Sequence, residues 1–246
     1  MITGASSGIG ASLARQLGAR GDRLVLAARR EQELASVARE SGGDALVVPT
    51  DVTRRAEVER LRDRALERYG AVDVWVNNAG RGITKPVLEL TDEELDAIMA
   101  VNVKSALYGM QAIAPHFLER RRGQIINVSS MLSRVPFATY RSAYNAAKHA
   151  LNALTANARV DLHAKCPEVH VTLVMPGLVS TEFGKHALHG SPSPPQMGAQ
   201  TAEEVAAVIV KAIDEPVAEI YTNPQHPSLA VRYFQDVGAF ERESTR

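Results

Sequence analysis

Residues 1–10 read Met1-Ile2-Thr3-Gly4-Ala5-Ser6-Ser7-Gly8-Ile9-Gly10. A strand end runs into a glycine-rich turn, and a helix-period segment follows over 9–19. That order builds an anion site. Glycines let the backbone turn tightly and let a phosphate approach, and the helix N-terminus supplies unpaired N–H groups at the positive end of its dipole. The spacing is Gly-x3-Gly-x-Gly, not the commoner Gly-x-Gly-x-x-Gly. Taken alone it also fits a glycine turn with no ligand. The rest of the chain decides between the two.

Outward from this turn, short β-rich runs alternate with longer helical ones. Strands are expected at 23–28 (RLVLAA), 44–49 (DALVVP), 72–77 (VDVWVN), 124–129 (QIINVS), 169–175 (VHVTLVM) and 218–222 (AEIYT). Several are nearly continuous apolar runs, as in parallel strands buried on both faces. Helices are expected at 9–19, 31–41, 54–69, 92–121, 143–163 and 201–214. Thr91 with Glu94 reads as a capping box, and Pro115 should kink or divide the long fourth helix. Repeated strand–helix–strand units imply an α/β, doubly wound, seven-stranded parallel sheet with helices on both faces, in three layers. No linker separates two domains, so residues 1–246 read as one unit. Residues 184–200 (GKHALHGSPSPPQMGAQ) are the least regular stretch. Pro192, Pro194 and Pro195 forbid a regular helix there, which leaves a surface loop or a mobile lid. Only Met1, Ile2 and Thr3 precede the first glycine, against about five or six residues in an ordinary strand. A start upstream of Met1 is therefore expected, and an extended chain should melt higher.

The composition narrows the function classes. The chain has 246 residues, with 45% hydrophobic and 23% charged. Twenty-eight basic residues balance twenty-eight acidic ones, which argues against a nucleic-acid or anionic-membrane binder. A single cysteine, Cys166, excludes an internal disulfide and fits a reducing compartment. No apolar run approaches the roughly 18 residues of a spanning helix, and no signal peptide is expected, since Gly4, Ser6, Ser7 and Gly8 interrupt any apolar region at once. A cytoplasmic location is expected. His186 and His189 stand close together, but no carboxylate or thiol clusters with them in sequence, so no metal is expected. Trp75 sits in an apolar strand and reads as core.

Further motifs follow the glycine turn in a fixed order. Asn77-Asn78-Ala79-Gly80 ends the fourth strand, and Asn102 lies within the fourth helix. Ser129-Ser130 ends the fifth strand, Tyr144-x3-Lys148 opens the next helix, and Pro176-Gly177 ends the sixth strand with Thr181 four residues on. A lone Tyr-x3-Lys arises readily by chance; the joint order does not. Together, over residues 3–181, these motifs resemble the short-chain dehydrogenase/reductase family. The resemblance implies a Rossmann-type fold and hydride exchange between a nicotinamide cofactor and a carbonyl or alcohol. It implies a cofactor cradle of Gly4, Ser6, Ser7, Gly8, Ile9, Gly10, Asn78, Ala79, Gly80, Tyr144, Lys148, Pro176, Gly177, Val179 and Thr181. Asp51 and Val52 resemble the adenine contact, although Asp51 reads equally well as an N-cap. Asn77 reads as a tie between strands.

Cofactor choice turns on the end of the second strand. An acidic residue there would bind the ribose 2′-OH of NAD and repel a 2′-phosphate. The chain has Ala28, then Arg29 and Arg30. A guanidinium suits a phosphate by charge and fork geometry. NADP(H) is therefore favoured over NAD(H), with Arg29 the stronger candidate.

Tyr144 and Lys148 share one helix face. A phenol titrates near 10 in water, and a neighbouring ammonium together with an oxidised nicotinamide should lower it. Tyr144 then serves as general acid or base. Ser130 would hydrogen-bond the reacting oxygen. It lies fourteen residues before Tyr144, one more than the family spacing, so Ser129 is the fallback and Ser133 a third choice. The resemblance gives Asn102 a water in a proton relay to Lys148. Substrate walls are expected from 81–83, 131–140, Leu178 and 183–197, within a substrate-loop region at 178–200. The C-terminal tail, 223–246, carries Tyr233, Phe234 and Phe240. Relatives pair through helices like 92–121 and 143–163, so a homodimer or homotetramer is expected, with a small-molecule carbonyl or alcohol as substrate. Two rivals stay open. One is an NAD-dependent alcohol dehydrogenase of the same family; the other is a non-catalytic cofactor sensor or scaffold.

Overall fold

The structure, a computed structural model, describes residues 1–42, 44–190 and 198–244. Seven parallel strands form one sheet in the order β3-β2-β1-β4-β5-β6-β7. They are β1 (Ile2–Thr3), β2 (Leu24–Ala28), β3 (Ala45–Pro49), β4 (Val74–Asn77), β5 (Gly123–Val128), β6 (Val169–Met175) and β7 (Glu219–Tyr221). The helices that follow in the chain are α1 (Gly8–Ala19), α2 (Glu31–Glu40), α3 (Arg55–Tyr69), α4 (Asp92–Met99), α5 (Ser105–Arg120), α6 (Ser142–Lys165), α7 (Ala202–Asp214), α8 (His226–Gln235) and α9 (Val237–Ser244). The expected doubly wound sheet is what forms.

Strand β2 shows why its run is apolar throughout. Neighbouring residues face opposite sides. Leu24, Leu26 and Ala28 join Leu13, Leu34 and Ile209 under α1, α2 and α7. Val25 and Ala27 join Leu61, Ile113 and Phe117 under α3 and α5. Both faces are covered, so no position tolerates a polar side chain. Trp75 is fully buried, and its Nε1 donates to Asn77 Oδ1 at 2.8 Å. Asn77 in turn donates to Asn127 Oδ1 at 2.9 Å, which ties β4 to β5.

Chain order reverses between β1 and β4, the point where an open parallel sheet parts its loops into a crevice. Strand β1 is short but firmly held. Ile2 is fully buried and pairs with Leu26 on one side and Val76 on the other.

The segment 92–121 differs from its expectation. It divides not at Pro115 but at a π-helical turn, Ala100–Lys104. The buried Asn102 causes it: its Nδ2 donates to the Ile98 and Arg81 carbonyls, each at 2.9 Å, so a side chain enters the helical ladder. Helix α5 runs through Pro115 to Arg120. Gln111, whose carbonyl loses its donor there, is exposed, so solvent serves it. The capping box of Thr91 and Glu94 is present, and Thr201 with Glu204 forms a second.

The loop after β6 is anchored over its described part. Leu188 N donates to Gly82 O at 2.9 Å and Thr84 N to Leu188 O at 2.8 Å. Gln200 pairs with Val179. Pro192, Pro194 and Pro195 lie outside the described residues. In the tail, Tyr233 and Phe240 meet edge to face at 5.4 Å and pack over Met131 and Val135, while Phe234 stays exposed.

Candidate active site

A cleft of about 1200 Å³ opens at the carboxyl ends of the strands, over the β1–β4 reversal. One end is the glycine turn. Gly4 has φ +65°, and a Cβ there would stand 2.8 Å from Ala79 Cα, so the turn and the β4 end touch backbone to backbone. Gly4, Ser6, Ser7, Gly8 and Ile9 line the cleft. Gly10 does not. A Cβ on it would lie 2.4 Å from Gly4 O and 2.6 Å from Asn78 Nδ2, so it packs closely beneath the turn and seats α1.

The first turn of α1 has the donors an anion needs. Ser7 at its N-cap makes no side-chain cap bond, and the turn carries no acidic residue. Arg30 Nη2 donates to Ser6 Oγ at 3.0 Å and Ser7 Oγ at 2.8 Å. The sequence favours Arg29 at this end. The structure draws Arg30 onto the turn and leaves Arg29 exposed at the rim. Ala28 leaves room beside them, and Asp51, Val52, Asn78, Ala79 and Gly80 complete this half of the cleft. Asp51 is not the helix cap, since Arg54 holds that place. Its Oδ1 accepts from Thr53 N at 3.0 Å and Thr53 Oγ1 at 2.7 Å. Burial works to raise the Asp51 carboxyl, but the Thr53 bonds and the nearby Arg29 and Arg54 hold it below the usual range. Free helix-end donors, guanidinium charge and a close-approach turn fit a phosphate-bearing dinucleotide.

At the other end stand Ser130, Tyr144 and Lys148. Residues i and i+4 of α6 share a face, and Lys148 Nζ lies 5.6 Å from the Tyr144 ring centroid. Both are buried. Lys148 Nζ donates to Val128 O at 2.9 Å, and burial pulls its pKa down to about 7. Burial also pushes the Tyr144 phenol up to about 12, against the pull of Ser130 and Arg141 toward the phenolate. The lowering expected for Tyr144 includes the charge of a bound oxidised nicotinamide; burial by the chain itself acts the other way. In the folded chain, desolvation of the phenol outweighs its charged neighbours.

The serines separate cleanly. Ser129 Oγ turns into the core and donates to Asn152 Oδ1 at 2.6 Å. Ser133 Oγ donates to Ser130 O and accepts from Asn152 Nδ2 at 2.8 Å. Ser130 alone stands beside Tyr144, its Oγ accepting from Leu132 N at 3.1 Å. Asn102 lies behind the cleft wall. A Cβ on Gly80 would be 2.8 Å from Asn102 Oδ1 and 3.6 Å from Lys148 Nζ, so both atoms lie close to Gly80.

Pro176, Gly177, Val179 and Thr181 also line the cleft, with Thr181 Cγ2 3.4 Å from where a Cβ on Gly8 would stand, beside the glycine turn. Phe183 meets Tyr144 edge-on at 5.5 Å. Residues not anticipated from the sequence also line the cleft: Ala97 near the end of α4, Ala100 and Val101 from the π turn, Arg141, and His226 at the start of α8. A Cβ on Gly177 would collide with His226 Cε1 at 2.2 Å. His226 Nδ1 is buried without a hydrogen bond, and burial lowers the imidazole's pKa. Nothing local marks His226; it lies some fifty residues beyond β6 in sequence.

Residues 1–191 match the family model of short chain dehydrogenases. An uncharacterized oxidoreductase of Bacillus subtilis, YxnA, is 33% identical over 238 residues, covering 94% of this chain and 67% of that protein. A short-chain dehydrogenase/reductase from Burkholderia phymatum in complex with NAD superposes with TM-score 0.86 at 28% identity, over 96% of this chain and 92% of that one. A short-chain dehydrogenase from Burkholderia cenocepacia in complex with NADP gives TM-score 0.81 at 29% identity, over 99% and 95%.

Proposed function

The chain belongs to the short-chain dehydrogenase family of nicotinamide-dependent oxidoreductases, and from that premise we propose that it interconverts a carbonyl and an alcohol with NADP(H). When bound, the cofactor supplies or takes up the hydride at the carbonyl carbon. Gly4, Ser6, Ser7, Gly8 and Ile9 would hold its pyrophosphate, with Gly10 setting the turn. Arg30, with Arg29 beside it, would take the 2′-phosphate. Asp51 and Val52 would take the adenine end; Asn78, Ala79 and Gly80 the middle; Lys148, Pro176, Gly177, Val179 and Thr181 the nicotinamide end.

The chain's own chemistry centres on Tyr144. Its phenol donates a proton to the carbonyl oxygen during reduction and takes one from the alcohol during oxidation. Ser130 donates a hydrogen bond to the same oxygen and steadies its developing charge. Lys148 stands over the Tyr144 ring, and its ammonium form favours the phenolate when oxidation calls for it. Asn102 fixes the Arg81 backbone, and its Oδ1 and Lys148 Nζ both lie close to Gly80, which suits a proton relay. The observation that carries this reading is the convergence of Ser130, Tyr144 and Lys148 at one end of a cleft whose other end is the open first turn of α1.

Fluorescence titration with NADPH and NADH, paired with a carbonyl panel, tests it. NADPH should bind tighter, and Tyr144→Phe should lower kcat by about 10²–10⁴ while NADPH affinity stays within a few-fold. Wild-type turnover in Tyr144→Phe would overturn the mechanism; tighter NADH binding would overturn the cofactor assignment. The same reading has one catalytic unit in the cytoplasm, with 178–200 as its substrate loop. It pairs as a homodimer or homotetramer. Exposed Val87, Leu88 and Leu95 around α4, and Val160 on α6, support that pairing.

A further inference from the structure

We propose that the substrate is an anionic carbonyl compound, its carboxylate or phosphate gripped by Arg81 and Arg141 beside Tyr144. This rests on the oxidoreductase reading and names its substrate class. The charged side chains lining the cleft are Arg29, Arg30, Asp51, Arg81, Arg141, Lys148 and Glu182, along with His186 and His226. Arg29, Arg30 and Asp51 belong to the glycine-turn end. Glu182 is matched by Lys185 at 3.2 Å and His186 at 3.5 Å. Lys85, near the same wall, is matched by Glu94 at 2.9 Å. Arg81 and Arg141 pair with no carboxylate among the described residues, and residues 191–197 contain no Asp or Glu.

Both guanidiniums are held as if for a ligand. Arg81 Nε donates to His186 O at 3.1 Å. Arg141 Nη1 donates to Ile83 O at 3.3 Å and Thr84 Oγ1 at 3.2 Å. One nitrogen of each fork is anchored, and the remaining donors make no hydrogen bond among the described residues. Anchoring removes much of the entropy cost of ordering an arginine, and a fixed fork suits a two-oxygen anion. Both are half-buried, where charge is screened less than at an open surface. The field of Arg141 reaches the Tyr144 hydroxyl, so an anion held there places its carbonyl near the proton donor. Phe183, against Tyr144, and half-exposed Phe137 and Leu178 leave the remainder of the wall apolar.

The experiment uses the NADPH-loaded chain with alpha-, beta- and gamma-oxo carboxylic acids against their methyl esters, and a hydroxyketone phosphate against the free hydroxyketone. The anionic member of a pair should have a kcat/KM higher by about tenfold or more, and its KM should rise with salt while that of the neutral partner holds. Whichever anion shows the larger ratio identifies carboxylate or phosphate as the source. The ratio should collapse toward one in Arg81→Gln and in Arg141→Gln, with Arg141→Lys keeping part of it. Equal turnover of acids and esters, or a preference that survives both Gln variants, overturns the inference and leaves the carbonyl reductase reading standing. Calorimetry separates the reverse case. Oxo acids that bind through Arg81 and Arg141 without being reduced would keep the anion site and overturn the redox reading.

Discussion

Lys148 sits in a place that costs the fold stability, and the proposed mechanism uses it there. In the unfolded chain it titrates near its ordinary 10.5, and in the folded chain near 7. Between those values the unfolded chain holds a proton that the folded chain has lost, so stability rises with pH across the window. Below about 7 both states are protonated and the whole burden of the buried charge is carried. Lys148→Met should therefore stabilise the protein while abolishing turnover. The gain, by urea unfolding, should be larger at about pH 6 than at about pH 9 by on the order of 2–3 kcal/mol. The lost bond to Val128 O is common to both conditions and cancels. A pH-independent difference would show that Lys148 is not desolvated. The neighbouring serines show the limit of reading at this scale. Ser129 and Ser130 are identical in type, and only the strand's alternation, with Asn152 waiting on one side, sends one to the core and the other to the cleft.

At the scale of elements, helix α1 meets the β1 end through Gly10. A methyl there would press on Gly4 O and Asn78 Nδ2. Gly10→Ala should cost about 1–3 kcal/mol and weaken NADPH binding by deforming the turn; unchanged values in both would refute the packing role. Glu94 joins three elements. It caps α4, accepts from Lys85 Nζ at 2.9 Å, and meets His189 Nε2 at 2.5 Å in the loop over Ile83. The Thr91 N–H, Lys85 and His189 together hold its carboxyl at about 2, below the usual 4.5. Its contribution is present above 4.5 and is lost as pH falls toward 2. Glu94→Gln should lower Tm at neutral pH, and the deficit should close across that acid window. The capping box that begins this network is legible in sequence; the third partner, 95 residues away, is not. The π turn was equally hidden, because Asn102 in a helical pattern looks like any polar helix residue until Arg81 O lies beside it.

For the whole molecule, the cleft joins the carboxyl ends of β1 and β4–β6 with α8, so a ligand filling it bridges parts that unfold together. NADPH at a hundredfold over its Kd should add about 2.7 kcal/mol, or about 5–10 °C in Tm for a chain of this size. NADH at the same concentration should add less. Equal shifts in scanning calorimetry would remove the case for Arg30 as a 2′-phosphate site.

The sequence by itself determined the α/β class, the parallel sheet, the glycine turn and the Ser130–Tyr144–Lys148 spacing. Those follow from period, from turn chemistry and from residues close in the chain, which local physics governs. Tertiary structure alone decided which arginine reaches the turn, which serine faces the phenol, and that burial by the chain itself raises the Tyr144 phenol. It alone brought Arg141 and His226 to the wall. Each of these depends on burial and on partners distant in sequence, and desolvation, unlike periodicity, leaves no mark on a residue's neighbours in the chain.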